Sequence, residues 1–387
     1  MKKFIIRNLG PISNAEVELK NFNFFIGNQG VGKSTLAKIL CSVTNFSLYL
    51  LDNNDTLKHF KSILDEYNVT VYLRKDSFIE YEEEDSFVDD KGDACGYTLK
   101  FQYAEGKCKT EVVCKGEQAN PDILTQILIR RTFNKLFVDE IRNMLDKNKE
   151  QLENLQLFFV NMNKDTLYIP AERIMLSVLP KLLPALTLAQ ASVPRNLLHF
   201  FVECNNAKES FKSYDIPLLG ITFLHKGEDD YVVVDDSQTI PLDASSSGMQ
   251  SAIPLLLTMD YAINKGRYRS YVIEEPECNL YPGNQIELID RIIGIINQQK
   301  KSYRPSLTIT THSLYIINYL NVLIQRYVRQ VDKTGVDVEE LAVYYVTGEG
   351  NVTNLISIDN NTNEKIVNTI DLSETMSDIY SEFKSLR

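Results

Sequence analysis

Six cysteines occur in 387 residues, and no two form a C-x-x-C pair. Cys41, Cys95, Cys108, Cys114, Cys204 and Cys278 are scattered, which excludes a zinc ribbon and supplies no disulfide framework. A reducing cytoplasm fits this usage. Basic charge is also short: 41 Lys and Arg stand against 52 Asp and Glu, a formal net charge of -11. Such a chain does not coat nucleic acid through its overall field, so any such contact must be local or borrowed from another chain. Long apolar runs are missing as well. The opening MKKFIIRNLGPIS is broken by Arg7 and Asn8 before a signal segment could form. The stretches around Leu48 and Leu179 are interrupted by Asn45 and Asp52, and by Pro180, Lys181 and Pro184, so no membrane span is expected. Internal repeats and low-complexity tracts are absent.

What is present is a globular composition, 44% hydrophobic and 24% charged, long enough for more than one domain. Pattern predicts strands at 3–6 and 15–19 joined by the turn NLGPIS, and a buried strand at 22–26. Further strands are expected at 69–73, 78–81 and 97–103, with the acidic run EYEEEDSFVDDKGD as a solvated loop. From 121 to about 164, Ile123, Ile127, Leu128, Phe133, Leu136 and Phe137 recur on one helical face, predicting a helical insertion. A short strand then ends at Pro170, Pro-interrupted helices run to Phe211, and 220–224 with 231–234 read as a hairpin. A helix at about 247–264, a strand at 271–273, a helix at 284–297 and a strand at 307–310 restore strand–helix alternation. That alternation implies an α/β fold with a largely parallel sheet.

Gly27-Asn28-Gln29-Gly30-Val31-Gly32-Lys33-Ser34 fits G-x-x-x-x-G-K-[ST], with the strand before and the helix after that the motif requires. Its glycines let backbone N–H groups wrap phosphates, and the helix N-terminus adds positive potential. Lys33 reaches the β and γ phosphates and the Ser34 hydroxyl ligates Mg²⁺; with Thr35, residues 27–35 are the expected ATP cradle. YRSYVIEEPECNLYP adds a buried strand ending in Glu274 and Glu275. The first is expected to hold Mg²⁺ through water and the second to polarise the attacking water, at the strand end where α/β sheets bind ligands. LTITTHS is a further apolar strand whose end sets His312 to hydrogen-bond a γ-phosphate. The expected catalytic residues are therefore Lys33, Glu275 and His312, and the cofactors ATP and Mg²⁺.

Taken in order, NLGPISNAEVELKNFNFFIGNQGVGKSTLAK, YIPAER, SSSGMQS, IEEPECNLYP and TTHS resemble ABC-type ATPases. The branch is the soluble one that includes SMC and Rad50 heads, RecF and, most similar, the OLD-like ATPases of bacteria. The resemblance implies a P-loop NTPase with an ABC-ATPase-like head: a mostly parallel central sheet, an antiparallel N-terminal β subdomain and a helical insertion. Its parts would be 1–119 with the phosphate loop and β subdomain, 120–165 as the insertion, and 166–387 with the signature, the carboxylates and His312. Ser246, Ser247 and Gly248 resemble the signature motif that touches the γ-phosphate held by a partner subunit. The same residues also read as a polar helix N-cap, and both readings hold together. Three features depart from the pattern. Glu274 stands where Asp is usual, and Tyr281 where OLD-like ATPases often place His. No glutamine marks a Q-loop, leaving Gln102 and Gln118 as candidates. Arg173 in YIPAER receives no role beyond a charge on the nucleotide side.

Lys33 and Glu275 in one copy with a signature from another imply a homodimer or higher homo-oligomer that ATP closes and hydrolysis reopens. The expected function is the ATPase subunit, sensor or regulator, of a bacterial anti-phage defence system controlling a separately encoded effector. The alternative is a RecF- or Rad50-like DNA-repair or DNA-organising ATPase, which needs a basic groove that the acidic balance disfavours. OLD nucleases continue into a nuclease domain, whereas 75 residues follow His312 here. These include strand-like LAVYYVTGEG and helix-like SETMSDIYSEFKSLR, with Asp359 and Asp371 expected to be solvated, so effector chemistry is expected in trans.

Overall fold

The structure, a computed structural model, describes residues 2–46, 56–88, 94–115, 166–189, 193–227, 229–235, 238–265, 268, 270–299, 304–332, 334–359, 362–369, 372, 382 and 384. Lys2–Leu9 (β1) and Ile12–Leu19 (β2) pair about the turn at Gly10 and Pro11. Phe22–Ile26 (β3) follows, buried at every position, as suits a strand covered on both faces. Next come the helices Lys33–Phe46 (α1) and Thr56–Glu66 (α2). Phe78–Val88 (β4), Ala94–Ala104 (β5) and Lys107–Lys115 (β6) complete an antiparallel sheet of order β2-β1-β4-β5-β6.

Two expectations fail in this sheet. Residues 69–73 are not a strand: Thr70–Tyr72 is a single 3₁₀ turn with Val71 83% exposed, since no neighbouring strand accepts its backbone groups. Residues 80–88 of the acidic run are not a loop, because β4 continues through them to Val88; the rest of the run lies outside the described residues. Lysines on the adjacent strands pair with two glutamates of β4: Lys2 lies opposite Glu83, with Nζ 3.3 Å from Oε1, and Lys100 lies opposite Glu82 at 3.1 Å.

The chain continues with Thr166–Ile169 (β7), a 3₁₀ stretch at Ala171–Ser177, and the helices Leu179–Leu188 (α3) and Arg195–Ser210 (α4). Ser213–Ile216 (β8), Ile221–Lys226 (β9), Asp229–Asp235 (β10) and Gln238–Pro241 (β11) make a second antiparallel sheet. Then follow Ser247–Asn264 (α5), Ser270–Glu274 (β12), Pro282–Asn297 (α6), Ser306–Thr311 (β13) and Leu314–Val328 (α7). Leu341–Val346 (β14), Val352–Asn354 (β15) and the small hairpin of Ile356–Ile358 (β16) and Lys365–Val367 (β17) come last.

The central sheet has the order β15-β14-β3-β13-β12-β7, parallel throughout except for the edge pair β14 and β15. Alternation along its strands divides the interior in two. Phe22, Phe24, Ile26, Tyr271, Ile273, Leu307 and Ile309 face a core shared with α4 to α7, while Phe25, Tyr168, Val272 and Tyr344 face one shared with α1, α2 and the N-terminal sheet. The expected α/β class, with its mostly parallel sheet and antiparallel N-terminal β part, is what forms. The insertion expected at 120–165 lies outside the described residues, and so does nearly all of the helix expected at 373–387.

Candidate nucleotide site

Parallel pairing sends the carboxyl ends of β3, β13, β12 and β7 to one edge of the sheet, which gathers segments distant in sequence. From β3 the chain enters the loop 27–32 and then α1. Gly32 adopts φ +107°, and a Cβ there would lie 2.9 Å from Pro11 Cγ, so the turn into α1 requires glycine. Asn28, Gln29 and Gly30 form an exposed crest above Gly27, Val31, Lys33 and Thr35, which are buried; Ser34 is half-buried. Lys33 Nζ donates to the carbonyls of Gly27 and Asn28, both at 2.9 Å, and lies 3.3 and 3.2 Å from Nδ1 and Nε2 of His312. Burial pushes this ammonium down to about 8, against the pull of Glu275, Glu277 and Glu274.

Glu275 follows β12 in a left-handed conformation, φ +43°, its N–H donating to Thr310 O at 2.8 Å. One carboxylate oxygen lies 3.2 Å from His312 Nε2, and the other accepts from Cys278 Sγ at 3.3 Å. With Nε2 donating to Glu275, Nδ1 keeps the lone pair that can accept from Lys33. His312 thus joins the expected phosphate-binding cation to the expected base within one chain.

Glu274 is 2% exposed and its Oε1 is buried without a hydrogen-bond partner. Burial raises its pKa, and Lys38, Tyr168 and Ser34 pull it back. An orphaned buried carboxylate oxygen close to the Ser34 hydroxyl fits a divalent cation. Among the described residues no group of three His, Cys, Asp or Glu side chains could hold a metal, so Mg²⁺ would take one hydroxyl, one carboxylate and phosphate oxygens here.

Ser246 and Ser247 are exposed, at the start of α5. The Ser246 hydroxyl caps the helix by accepting from Met249 N at 3.4 Å, so the N-cap reading describes the geometry. A Cβ on Gly248 would come within 2.8 Å of Asn279 O, so glycine lets the helix start press on the turn that follows Glu275. Tyr281, at the end of that turn, is 79% exposed. The site does not include Gln102, whose side chain donates to Glu80 at 3.4 Å within the N-terminal sheet. Gln118 lies outside the described residues.

Two residues of the site carry roles that sequence reasoning missed. Glu277 Oε1 accepts from both Thr311 Oγ1, at 2.6 Å, and the His312 backbone N–H, at 2.7 Å, tying the Glu275 turn to the His312 strand end. Arg173, fully buried, places its guanidinium against the backbone of that same turn. The only signals in the sequence were a third glutamate in EEPEC and an arginine just past a strand-ending proline.

Residues 131–317 match the AAA ATPase domain, a stretch that carries Arg173, Ser246 to Gly248, Glu274, Glu275 and His312, with the phosphate loop ahead of it. The chain is a P-loop ATP hydrolase. No curated protein matches this ATPase in sequence. Among solved structures it is similar to the SmcHead bound to the C-winged helix domain of ScpA, with a TM-score of 0.43, 10% identity, and coverage of 91% of this chain and 96% of the other. The SMC head domain from Thermotoga maritima gives 0.37 and 9%, covering 94% and 97%. The recombination mediator protein RecF gives 0.34 and 9%, covering 91% and 97%. Among the described residues of the ATPase, no helix is long and apolar enough to cross a membrane.

Proposed function

We propose that this ATPase works as an ABC-type, nucleotide-sandwiched homodimer, and that the dimer is the sensor or regulatory subunit of a bacterial anti-phage defence system controlling a separate effector. The observation that supports the dimer is a division of labour. Lys33, His312 and Glu275 meet in one chain, while Ser246 and Ser247 stand exposed at the N-terminus of α5 with N–H groups free to meet a phosphate held by another copy. The regulatory role rests on the resemblance of YIPAER and IEEPECNLYP to OLD-like ATPases. The net charge of -11 weighs against a DNA clamp.

In this mechanism Lys33 leaves the carbonyls of Gly27 and Asn28 for the β and γ phosphates, regaining a charged partner for its buried ammonium. Ser34 and Glu274 hold Mg²⁺, which supplies neutralisation of phosphate charge. Glu275 orients and polarises the attacking water, and His312, released by Lys33, turns its one N–H from Glu275 to the γ-phosphate, which frees that carboxylate to accept from the water. Glu275→Gln is expected to keep ATP affinity, lose turnover by about 10²-fold or more, and accumulate dimers with ATP on size-exclusion. Undiminished hydrolysis, or monomers alone in saturating ATP, would refute the proposal.

A further inference from the structure

We propose that Arg173 is a positioning residue for hydrolysis: its guanidinium fixes the backbone from Glu274 to Pro276 and thereby aims the Glu275 carboxylate. The inference rests on the reading of Glu275 as the residue that polarises water. Arg173 donates from Nε to Ser251 O at 3.1 Å and from one terminal nitrogen to Pro170 O at 3.0 Å and Glu274 O at 2.7 Å. The other terminal nitrogen reaches Glu275 O at 2.8 Å and Pro276 O at 3.2 Å. All five N–H donors of a guanidinium are therefore used, and every acceptor is a backbone carbonyl.

A buried cation is an expensive way to fill space. Apolar side chains of similar volume generally stabilise a core at least as well as buried charge, so filling alone does not account for an arginine. The local backbone does. Glu275 is a non-glycine residue at φ +43°, and the carbonyls of three successive residues, 274 to 276, converge on one point. Converging carbonyl dipoles repel unless a positive charge sits among them, and the guanidinium is that charge. Two further anchors make the clamp rigid: Pro170 at the end of β7, and Ser251 in α5, the helix that begins at the signature-like serines. The Glu275 turn is thus bolted to the neighbouring strand and to α5, in a plane that lysine cannot reproduce, because an ammonium offers three donors from one point.

The test measures ATP affinity with a fluorescent analogue, single-turnover hydrolysis and thermal unfolding for Arg173→Lys, Arg173→Gln and Arg173→Ala, beside Glu275→Gln. Misplacing the catalytic carboxylate by about 1 Å should lower kcat on the order of 10²-fold, with nucleotide affinity held within roughly a factor of two. Methylguanidinium added to Arg173→Ala should restore part of the rate without changing affinity. The proposal is overturned if Arg173→Lys hydrolyses ATP at the parent rate, if affinity and turnover fall in parallel, or if all three variants fail to fold, since the role would then be structural. Glu275→Gln separates the two readings. Parent-level hydrolysis by that variant removes the assignment of Glu275, whereas an inactive Glu275→Gln beside an active Arg173→Lys removes only the role of Arg173.

Discussion

Cys278 sits one helical turn's length of chain beyond Glu275 and donates its thiol to that carboxylate, which makes it a reporter on the proposed base. Burial, opposed by Arg173, and then the charge of Glu275 push the thiol up to about 12 from its ordinary 9.0. The thiolate is the reacting form, so at pH 8 alkylation by iodoacetamide should run about 10³-fold slower than at an unperturbed thiol. Replacing Glu275 by glutamine removes a negative charge that favours the protonated thiol, so labelling in Glu275→Gln should accelerate. Site-resolved mass spectrometry of the alkylated chain checks both. Ordinary reactivity at Cys278, or a rate indifferent to Glu275, would contradict the geometry. This residue also marks how far a sequence can be read. Lys33, Glu275 and His312 were legible because each ends a recognisable strand or loop with chemistry of its own. Arg173, Glu277 and Cys278 were not, because what they do depends on Ser251, Thr311 and the Glu275 turn, brought close only by the fold.

Buried parallel strands such as β3 and β13 could be bounded to within a residue, because a continuous apolar run sandwiched between two helical layers has one good use. The acidic β4 misled for the converse reason. Its pairing is decided by lysines on β1 and β5, which no local window contains. That difference has a measurable consequence. Glu83 is 3% exposed and accepts from Tyr81 Oη at 3.0 Å besides pairing with Lys2, whereas Glu82 meets Lys100 at the surface. Glu83→Ala strips a partner from a buried hydroxyl and should destabilise the protein by about 1–3 kcal/mol. Glu82→Ala should cost no more than about 1 kcal/mol. Chemical denaturation of the two variants checks the pair, and equal, negligible effects would return the segment to a solvated loop.

A protein whose single copy holds Lys33, His312 and Glu275 together, yet exposes Ser246 and Ser247 on another element, makes a claim about assembly that only mixtures can test. In a two-fold dimer each composite site would take its loop from one copy and its α5 terminus from the other. Lys33→Ala breaks the loop. Ser247→Arg places a long side chain at the first position of α5 while leaving the Ser246 cap in place, and so breaks the surface offered to the partner. Each variant alone has no complete site and should not turn over ATP. Mixed in equal amounts with exchange, half of the dimers contain one copy of each, and each such dimer regains one intact site, pairing the loop of the Ser247→Arg chain with the signature of the Lys33→Ala chain. The expected rate is about a quarter of the parent's at equal total protein. Activity in Ser247→Arg alone would place the complete site within one chain, and a mixture as inactive as its components would mean that the signature-like serines do not serve a partner.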